Sequence, residues 1–271
     1  MTRIETYIVD AFTDLPFKGN PAGVCLLNEE LTFQNMLSIA KELGLSETAF
    51  VLPLPHQNHY AIRYFSPKME IPLCGHATLA AAKIIFHKKD EVSKIHFINI
   101  QNLDLPVERS GDSILMGFPS YQMTPQEAPT TLLVALGIDE VITSAYNEQT
   151  RILMLEIKSN RQLRDLRPDF NQLLESHHSI NGVVVTAESD ELNYDFESRY
   201  FWPWSGTNED PVTGGTHTFL ATYWSIKLRK KKLNSFQCSE RTGFMEVEIV
   251  SDRSITIKSK ARIILEGHLV L

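Results

Sequence analysis

Apolar and polar positions alternate along much of the chain, which is the pattern of half-buried β-strands. A plausible N-cap, Thr32, opens a segment with apolar residues at helical spacing, and Gly44 supplies a stop. Two further short helices are predicted at 130–136 and 168–175. The strands are predicted at 4–8, 24–27, 48–52, 59–65, 94–100, 113–118, 152–157, 182–186, 195–201, 244–250 and 255–265. The pattern therefore predicts a sheet-dominated protein with few helices.

Two segments are apolar on every side, Ala77 to Phe86 and Phe219 to Ile226. A helix without a polar face must be surrounded by protein. Many short strands with one such helix in each half favour an α+β fold. We expect two units, each with a mixed β-barrel or sheet wrapped around a central helix.

The two halves resemble each other in sequence. A segment that starts RYFSP at Arg63 and one that starts RYFWP at Arg199 each continue through Pro-x-x-Gly into one of the apolar helices. A shared pattern of this length indicates an internal duplication. We therefore predict two pseudo-symmetric domains, 1–118 and 119–271, and leave open that the final strand packs back on the first half.

Composition and charge narrow the class of protein. Hydrophobic residues make up 43% of the 271, and the net charge of −7 argues against nucleic-acid and anionic-membrane partners. The three cysteines form neither a metal-binding spacing nor an even disulfide set. Acidic residues near the N-terminus are unlike a signal peptide, and no stretch of 18 apolar residues occurs. We expect a cytoplasmic protein without a metal and without membrane association.

Each apolar helix follows a glycine-containing turn, and such a turn offers backbone N–H groups to an anion. The candidate groups are those of Gly75 and Ala77 in the first copy and those of Gly214, Gly215 and Thr216 in the second. Two turns facing each other would hold one small carboxylate. The alternative is that the glycines only relieve close contacts where a strand meets a helix.

The same turns restrict the proton chemistry. Cys74 in the first copy corresponds to Thr213 in the second, and a threonine hydroxyl is too weak an acid to exchange protons with carbon. A carboxylate or an imidazole must then move the proton. Glu47, at the start of an apolar strand, is the leading candidate, since burial and a second carboxylate such as Asp210 would raise its pKa. The alternative is an exposed Glu47 at the strand edge.

Several blocks of sequence resemble the PhzF-like family, the phenazine-biosynthesis isomerases and their relatives. They are V-D-A-F-T at 9–13, F-x-G-N-P-A-G-V at 17–24, L-S-E-T-A-F-V at 45–51, E-I-P-L-C-G-H-A-T-L-A at 70–80 and E-D-P-V-T-G at 209–214. The resemblance implies the fold of diaminopimelate epimerase, with the site in a cleft between two domains. It also implies a homodimer without an organic cofactor.

By the same resemblance, Glu47 shuttles the proton, while His76 and Asp210 orient the substrate or assist the relay. Asn20 then lies in the same cleft as a substrate-binding residue. The family serine that binds the substrate carboxylate is Gly215 here, with Thr216 as a substitute hydroxyl. The leading hypothesis is a cofactor-free isomerase or epimerase of a small carboxylate-bearing molecule. The alternatives are a racemase that depends on Cys74 and a non-catalytic relative that binds a small molecule or a protein.

Overall fold

The computed structural model describes residues 3–271, and these form two compact units. Unit 1 contains the residues up to 117 together with 256–271, and unit 2 contains 118–255. The strands are β1 (Arg3–Ala11), β2 (Asn20–Leu26), β3 (Glu47–Pro53), β4 (His59–Phe65), β5 (Glu70–Ile71), β6 (Lys94–Ile98), β7 (Asp104–Ser110), β8 (Ser113–Pro119), β9 (Thr124–Pro125), β10 (Thr143–Asn147), β11 (Ile152–Glu156), β12 (Gly182–Glu188), β13 (Phe196–Trp202), β14 (Thr207–Asp210), β15 (Lys232–Gln237), β16 (Gly243–Ser251), β17 (Ser254–Ser259) and β18 (Ala261–Val270). The helices are α1 (Phe33–Leu43), α2 (Gly75–Lys88), α3 (Thr130–Leu136), α4 (Asn160–Asp165), α5 (Phe170–Ser176) and α6 (His217–Leu228), with a 3₁₀ turn at Pro203–Ser205.

In unit 1 a mixed sheet wraps around α2. Strand β1 pairs antiparallel with β2 and β18, β2 runs parallel to β3, and β3 runs antiparallel to β4. Strand β4 pairs antiparallel with β5 and parallel with β6, which continues antiparallel into β7 and β8. Helix α2 packs against β1, β2, β3 and β18, so it is the central helix that its apolar sequence predicts.

Unit 2 repeats this order of pairing. Strand β10 is antiparallel to β11, β11 is parallel to β12, and β12 is antiparallel to β13. Strand β13 then pairs antiparallel with β14 and parallel with β15, as β4 does with β5 and β6. Helix α6 follows β14 just as α2 follows β5. The two units therefore share one α+β topology, and the predicted pseudo-symmetry is confirmed.

An identical ion pair holds the same hairpin in both units. Arg63 Nε lies 2.7 Å from Glu70 Oε1 and its Nη2 lies 2.8 Å from Oε2. Arg199 and Glu209 make the same two contacts at 2.7 and 2.8 Å. A bidentate pair fixes both side chains more firmly than a single contact would. The repeated Arg-Tyr-Phe thus marks the strand that positions each glycine turn.

The second central helix is less enclosed than its sequence predicts. Helix α6 packs against β15 and β16, and its buried residues Phe219, Leu220 and Trp224 share one core cluster with residues of β10 to β13. Ile226 is 74% exposed, so the prediction that 219–226 is buried on every side is wrong at this residue.

One predicted strand is divided in the structure. The stretch predicted as one strand, 255–265, is divided between β17 and β18 at Lys260. Strand β18 pairs with β1 and so belongs to unit 1.

Within residues 3–271, no helix is long and apolar enough to cross a membrane.

His217 ties the start of α6 to β15. Its ring is 1% exposed, with Nδ1 3.1 Å from the Thr213 carbonyl oxygen and Nε2 2.8 Å from Ser235 Oγ. Burial lowers the pKa of His217 to about 4, despite partial compensation by backbone contacts. The ring is therefore neutral, donates from Nδ1 and accepts from the serine hydroxyl.

This burial predicts a specific loss of stability in acid. In the unfolded chain His217 takes up a proton near its ordinary pKa of 6.5, whereas in the folded chain it does so only near 4. Stability from this residue is thus present above the unfolded pKa and falls by about 3 kcal/mol as pH drops from about 7 to about 4. Urea unfolding of the wild type and His217→Gln across this range measures it. The difference between their unfolding free energies should shrink in acid, and two parallel curves would contradict the assignment.

Candidate active site

Glu47 is the first residue of β3 and lies beside Ala22 of the parallel strand β2. Helix α1 ends at Gly44, whose left-handed φ of 64° turns the chain back toward the sheet. The short connection brings Glu47 into the sheet with only 8% of its surface exposed. The alternative of an exposed glutamate at the strand edge is therefore wrong.

His76, in the first turn of α2, contacts this carboxylate. Its Nε2 lies 3.2 Å from Glu47 Oε2, and the side chains of both residues are 10% exposed. The Sγ of Cys74, the residue at the N-cap position of the helix, lies 3.4 Å from His76 Nδ1 and 3.9 Å from its Nε2. The fold of unit 1 thus brings a carboxylate, an imidazole and a thiol together at the start of its central helix.

Ser46 belongs to the same cluster, although the sequence analysis did not single it out. Its Oγ lies 3.4 Å from His76 Nε2, and its side chain also hydrogen-bonds the Glu47 carboxylate. The only signal for it in the sequence is its place next to Glu47.

The electrostatics of Glu47 differ from the expectation. Burial raises its pKa, but the hydrogen bond and charge of His76 and the hydrogen bond from Ser46 outweigh burial, and the net pKa is lowered. The expected rise in the pKa of Glu47 is therefore wrong in direction, because a cationic partner is in contact with the carboxylate. Glu47 is ionised at neutral pH and suited to accept a proton.

The pKa values of His76 and Cys74 are both raised. Burial alone would lower the pKa of His76, but Cys74 and Glu47 beside it hold the pKa well above 6.5. Burial raises the pKa of the Cys74 thiol, and the neighbouring Glu47 charge adds to this effect against the opposing influence of His76. These directions favour an ion pair between Glu47 and His76 beside a protonated thiol.

The first turn of α2 supplies the predicted backbone donors, Gly75 and Ala77. The first helical hydrogen bond runs from Thr78 N to the Cys74 carbonyl over 3.0 Å, so these two N–H groups precede it. The Thr78 hydroxyl donates to the same carbonyl over 2.7 Å and contacts the Tyr64 hydroxyl at 2.6 Å. This buried chain of hydroxyls fixes the turn that carries Cys74 and His76.

Asn20, the other predicted residue in unit 1, is fully buried at the start of β2. The preceding Gly19 has a φ of +69°, and a Cβ there would lie 2.1 Å from the Ala11 carbonyl oxygen. Only glycine fits at this position, and it sets where Asn20 enters the sheet next to the strand of Glu47.

The remaining predicted residues form a second group in unit 2. Asp210 is 9% exposed at the end of β14, and its carboxylate accepts the hydroxyl proton of Thr213. Gln237, the last residue of β15, holds the turn between Asp210 and Thr213 through its side-chain amide. Its Nε2 donates to the Asp210 carbonyl over 2.7 Å, and its Oε1 accepts from Thr213 N over 2.9 Å. The sequence analysis missed Gln237, because its partners lie more than twenty residues away in the chain.

The glycine turn that follows is arranged differently from that of unit 1. His217 N donates to the Gly214 carbonyl over 3.1 Å and Thr218 N donates to the Gly215 carbonyl over 3.3 Å. The Thr216 hydroxyl, proposed as a substitute for the family serine, donates to the Thr213 carbonyl over 2.9 Å. Its proton is therefore engaged within the turn, while Gly215 is exposed.

The cluster of unit 1 also offers a set of metal ligands. Among residues 3–271, one group of three or more His, Cys, Asp or Glu side chains could hold a metal ion. It consists of Glu47, Cys74 and His76, whose ligand atoms all lie within 4.8 Å of one another. The same three side chains can thus exchange protons or hold a cation, and the ion pair between Glu47 and His76 is the arrangement that the structure contains.

Comparisons with known proteins identify relatives along the whole chain. The family described as phenazine biosynthesis-like protein, PhzC-PhzF, matches residues 9–271. An uncharacterised isomerase of Pseudomonas aeruginosa is 41% identical over 269 residues, covering 99% of this chain and 100% of the relative. A phenazine biosynthesis-like domain-containing protein of Mus musculus is 38% identical over 286 residues, covering 98% and 99%.

Solved structures agree with this assignment. A PhzF-family protein of Enterococcus faecalis has a TM-score of 0.91 and 34% identity, with 100% of both chains covered. A probable proline racemase of Agrobacterium radiobacter, only 10% identical over 99% of this chain and 93% of its own, shares the fold alone, with a TM-score of 0.62. The predicted epimerase-type α+β fold is confirmed, and the names of the bacterial relatives indicate enzymes of the isomerase type. The chain belongs to the phenazine biosynthesis-like PhzC-PhzF family.

Proposed function

We propose that the protein is a cofactor-independent isomerase or epimerase that moves a proton on a small carboxylate-bearing substrate, with Glu47 as the acid/base group. The observation that carries this proposal is the buried contact of 3.2 Å between the Glu47 carboxylate and His76. The contact with the imidazolium keeps the buried carboxylate ionised, so its lone pair is free to accept a substrate proton. Little water reaches the site to occupy that lone pair.

The proposed reaction moves one proton and breaks no other bond to carbon. Glu47 removes a proton from a carbon next to an electron-withdrawing group, and the electron pair of that C–H bond stays on the substrate as a delocalised anion. His76, held as an imidazolium, stabilises the negative charge beside it. The glutamic acid then returns the proton to the isomeric carbon, which restores the ionised carboxylate.

Backbone groups at the start of α2 would bind the substrate carboxylate. The N–H groups of Gly75 and Ala77 flank His76 at the positive end of a helix of 14 residues, and the Ala77 N–H also contacts the Cys74 thiol. Asn20, Asp210, Gly214, Gly215 and Thr216 stay predicted substrate-site residues. A homodimer also stays a prediction.

The thiol alternative is disfavoured by the surroundings of Cys74. A racemase that uses a thiol needs a thiolate, and burial raises the pKa of this thiol. Cys74 instead occupies the N-cap position of α2 and contacts the imidazole of His76, which makes it a positioning residue in the proposed reaction. A purely binding relative would have no need for a buried carboxylate–imidazolium pair.

The first test replaces Glu47 by glutamine, which keeps the size of the side chain but cannot take up the proton. A panel of small cyclic and aromatic carboxylic acids in deuterated water identifies a substrate through deuterium incorporation, read by mass spectrometry. Glu47→Gln should then lose at least about a hundredfold in exchange rate, since general acid/base groups contribute about 10² to 10⁴.

Glu42→Gln on the exposed side of α1 serves as the matched control and should exchange at the wild-type rate. Circular dichroism verifies that both variants are folded. Exchange by Glu47→Gln at a rate close to that of the wild type would overturn the assignment of the base.

A second test separates the carboxylate from the thiol. Cys74→Ala removes the sulfur but leaves Glu47 and His76, so the exchange rate should stay within about tenfold of the wild type. Stability should fall by about 1 kcal/mol, as for a small truncation. Loss of exchange in folded Cys74→Ala, with exchange retained in Glu47→Gln, would support the thiol mechanism instead.

A further inference from the structure

We propose that Glu47, Cys74 and His76 also form a three-ligand site for a zinc ion, and that zinc bound there blocks the proton transfer. Zinc binding is independent of the reaction, whereas its inhibitory effect rests on the proposed function. The site would make the enzyme sensitive to the free zinc concentration.

The distances between the ligand atoms are close to those around zinc. His76 Nε2 lies 3.2 Å from Glu47 Oε2 and 3.9 Å from Cys74 Sγ, and all three ligand atoms lie within 4.8 Å of one another. With zinc bonds of about 2.0 to 2.3 Å, neighbouring ligands of a tetrahedral site lie roughly 3.3 to 3.7 Å apart. The sulfur and the carboxylate therefore need to approach the common centre by about 1 Å or less.

The donor set selects zinc over the hard cations. One thiolate, one imidazole and one carboxylate are ligands that zinc accepts together, whereas magnesium and calcium prefer oxygen alone. Three protein ligands leave a fourth position for water or for the Ser46 hydroxyl, whose oxygen lies 3.4 Å from His76 Nε2.

The backbone that carries these ligands is already ordered. Cys74 and His76 stand at the start of α2, which packs against the strand of Glu47. The Thr78 hydroxyl donates to the Cys74 carbonyl and is itself in contact with the Tyr64 hydroxyl. Ligands placed on rigid elements lose little conformational entropy on binding a metal. Both Glu47 and His76 are more than nine-tenths buried, so water competes weakly for the ion.

Zinc binding displaces protons from the ligand atoms, and the occupied carboxylate accounts for the proposed inhibition. The thiol releases its proton and the imidazolium releases the one on Nε2, so each zinc ion bound sends two protons to the buffer. The zinc then occupies the lone pair of the Glu47 carboxylate that would accept the substrate proton. The charge of the zinc ion also lowers the basicity of the remaining carboxylate oxygen, so zinc bound at Glu47 slows proton transfer.

A histidine cluster on the surface of the same unit is the obvious competitor. The rings of His59 and His96 stack with centroids 4.7 Å apart, and His56 lies 5.8 Å from His59. Zinc held nonspecifically by surface histidines would depend on this cluster, so it serves as the control.

The test measures the zinc affinity of the metal-free protein by competition with a chromophoric chelator, with no substrate present. The wild type should bind one zinc ion, and Cys74→Ala, Cys74→Ser and His76→Asn should weaken its binding by at least about a hundredfold, since the loss of a group that only supports a ligand already costs up to about that much. The controls Cys238→Ala and His96→Asn should bind like the wild type. Cobalt should give a thiolate-to-metal absorption band that both Cys74 variants lack.

Zinc that survives the Cys74 and His76 substitutions but is lost in His96→Asn would overturn the proposed site, as would the absence of any binding by the wild type. Two Cys74 variants are used so that misfolding of one does not hide the answer. Inhibition is read separately, on the deuterium exchange of the wild type. Zinc that binds through Cys74 without slowing exchange would overturn the inhibition, and a protein without exchange activity would contradict the proposed function while leaving the zinc measurement intact.

Discussion

The site depends on one buried ion pair, formed by Glu47 and His76. Removing a lone carboxylate from water costs several kcal/mol, and a partner in contact offsets much of that cost. The partner is available because the fold places the start of β3 next to the first turn of α2. The same contact decides the chemistry, since it keeps Glu47 ionised and able to accept a proton. We expect glutamine to be tolerated there, because His76 can then release its own proton and stay neutral.

The internal duplication explains why both units contain the same frame, which is the Arg–Glu pair, the glycine turn and the central helix. The cluster of carboxylate, imidazole and thiol belongs to unit 1. Both units contain the bidentate Arg–Glu pair and a glycine turn that leads into a central helix. In the first unit the turn carries Cys74 and His76, whereas the corresponding positions of the second are Thr213 and Gly215. Unit 2 uses its own histidine, His217, as a neutral structural group. The shared frame thus supports a proton-transfer cluster in one unit and a glycine-rich turn in the other.

Much of this architecture follows from the sequence. The limits of α1 were predictable because Thr32 accepts from Asn35 N and Gly44 adopts the left-handed conformation. Strands β7, β10 and β15 were missed, since polar residues interrupt their alternation and pairing with neighbours decides their conformation. The residues at the site were identified by motif, but the sign of the Glu47 pKa shift was not. It depends on the distance to His76, which only the fold determines.

The ionisation of Glu47 in the resting protein tests this account most directly. An infrared difference spectrum between the metal-free wild type and Glu47→Gln at neutral pH isolates the carboxyl group of this residue. The account predicts the bands of an ionised carboxylate, which persist until the pH falls below the ordinary value of 4.5. A protonated C=O band at neutral pH would contradict it, because His76 would then not hold Glu47 as the base.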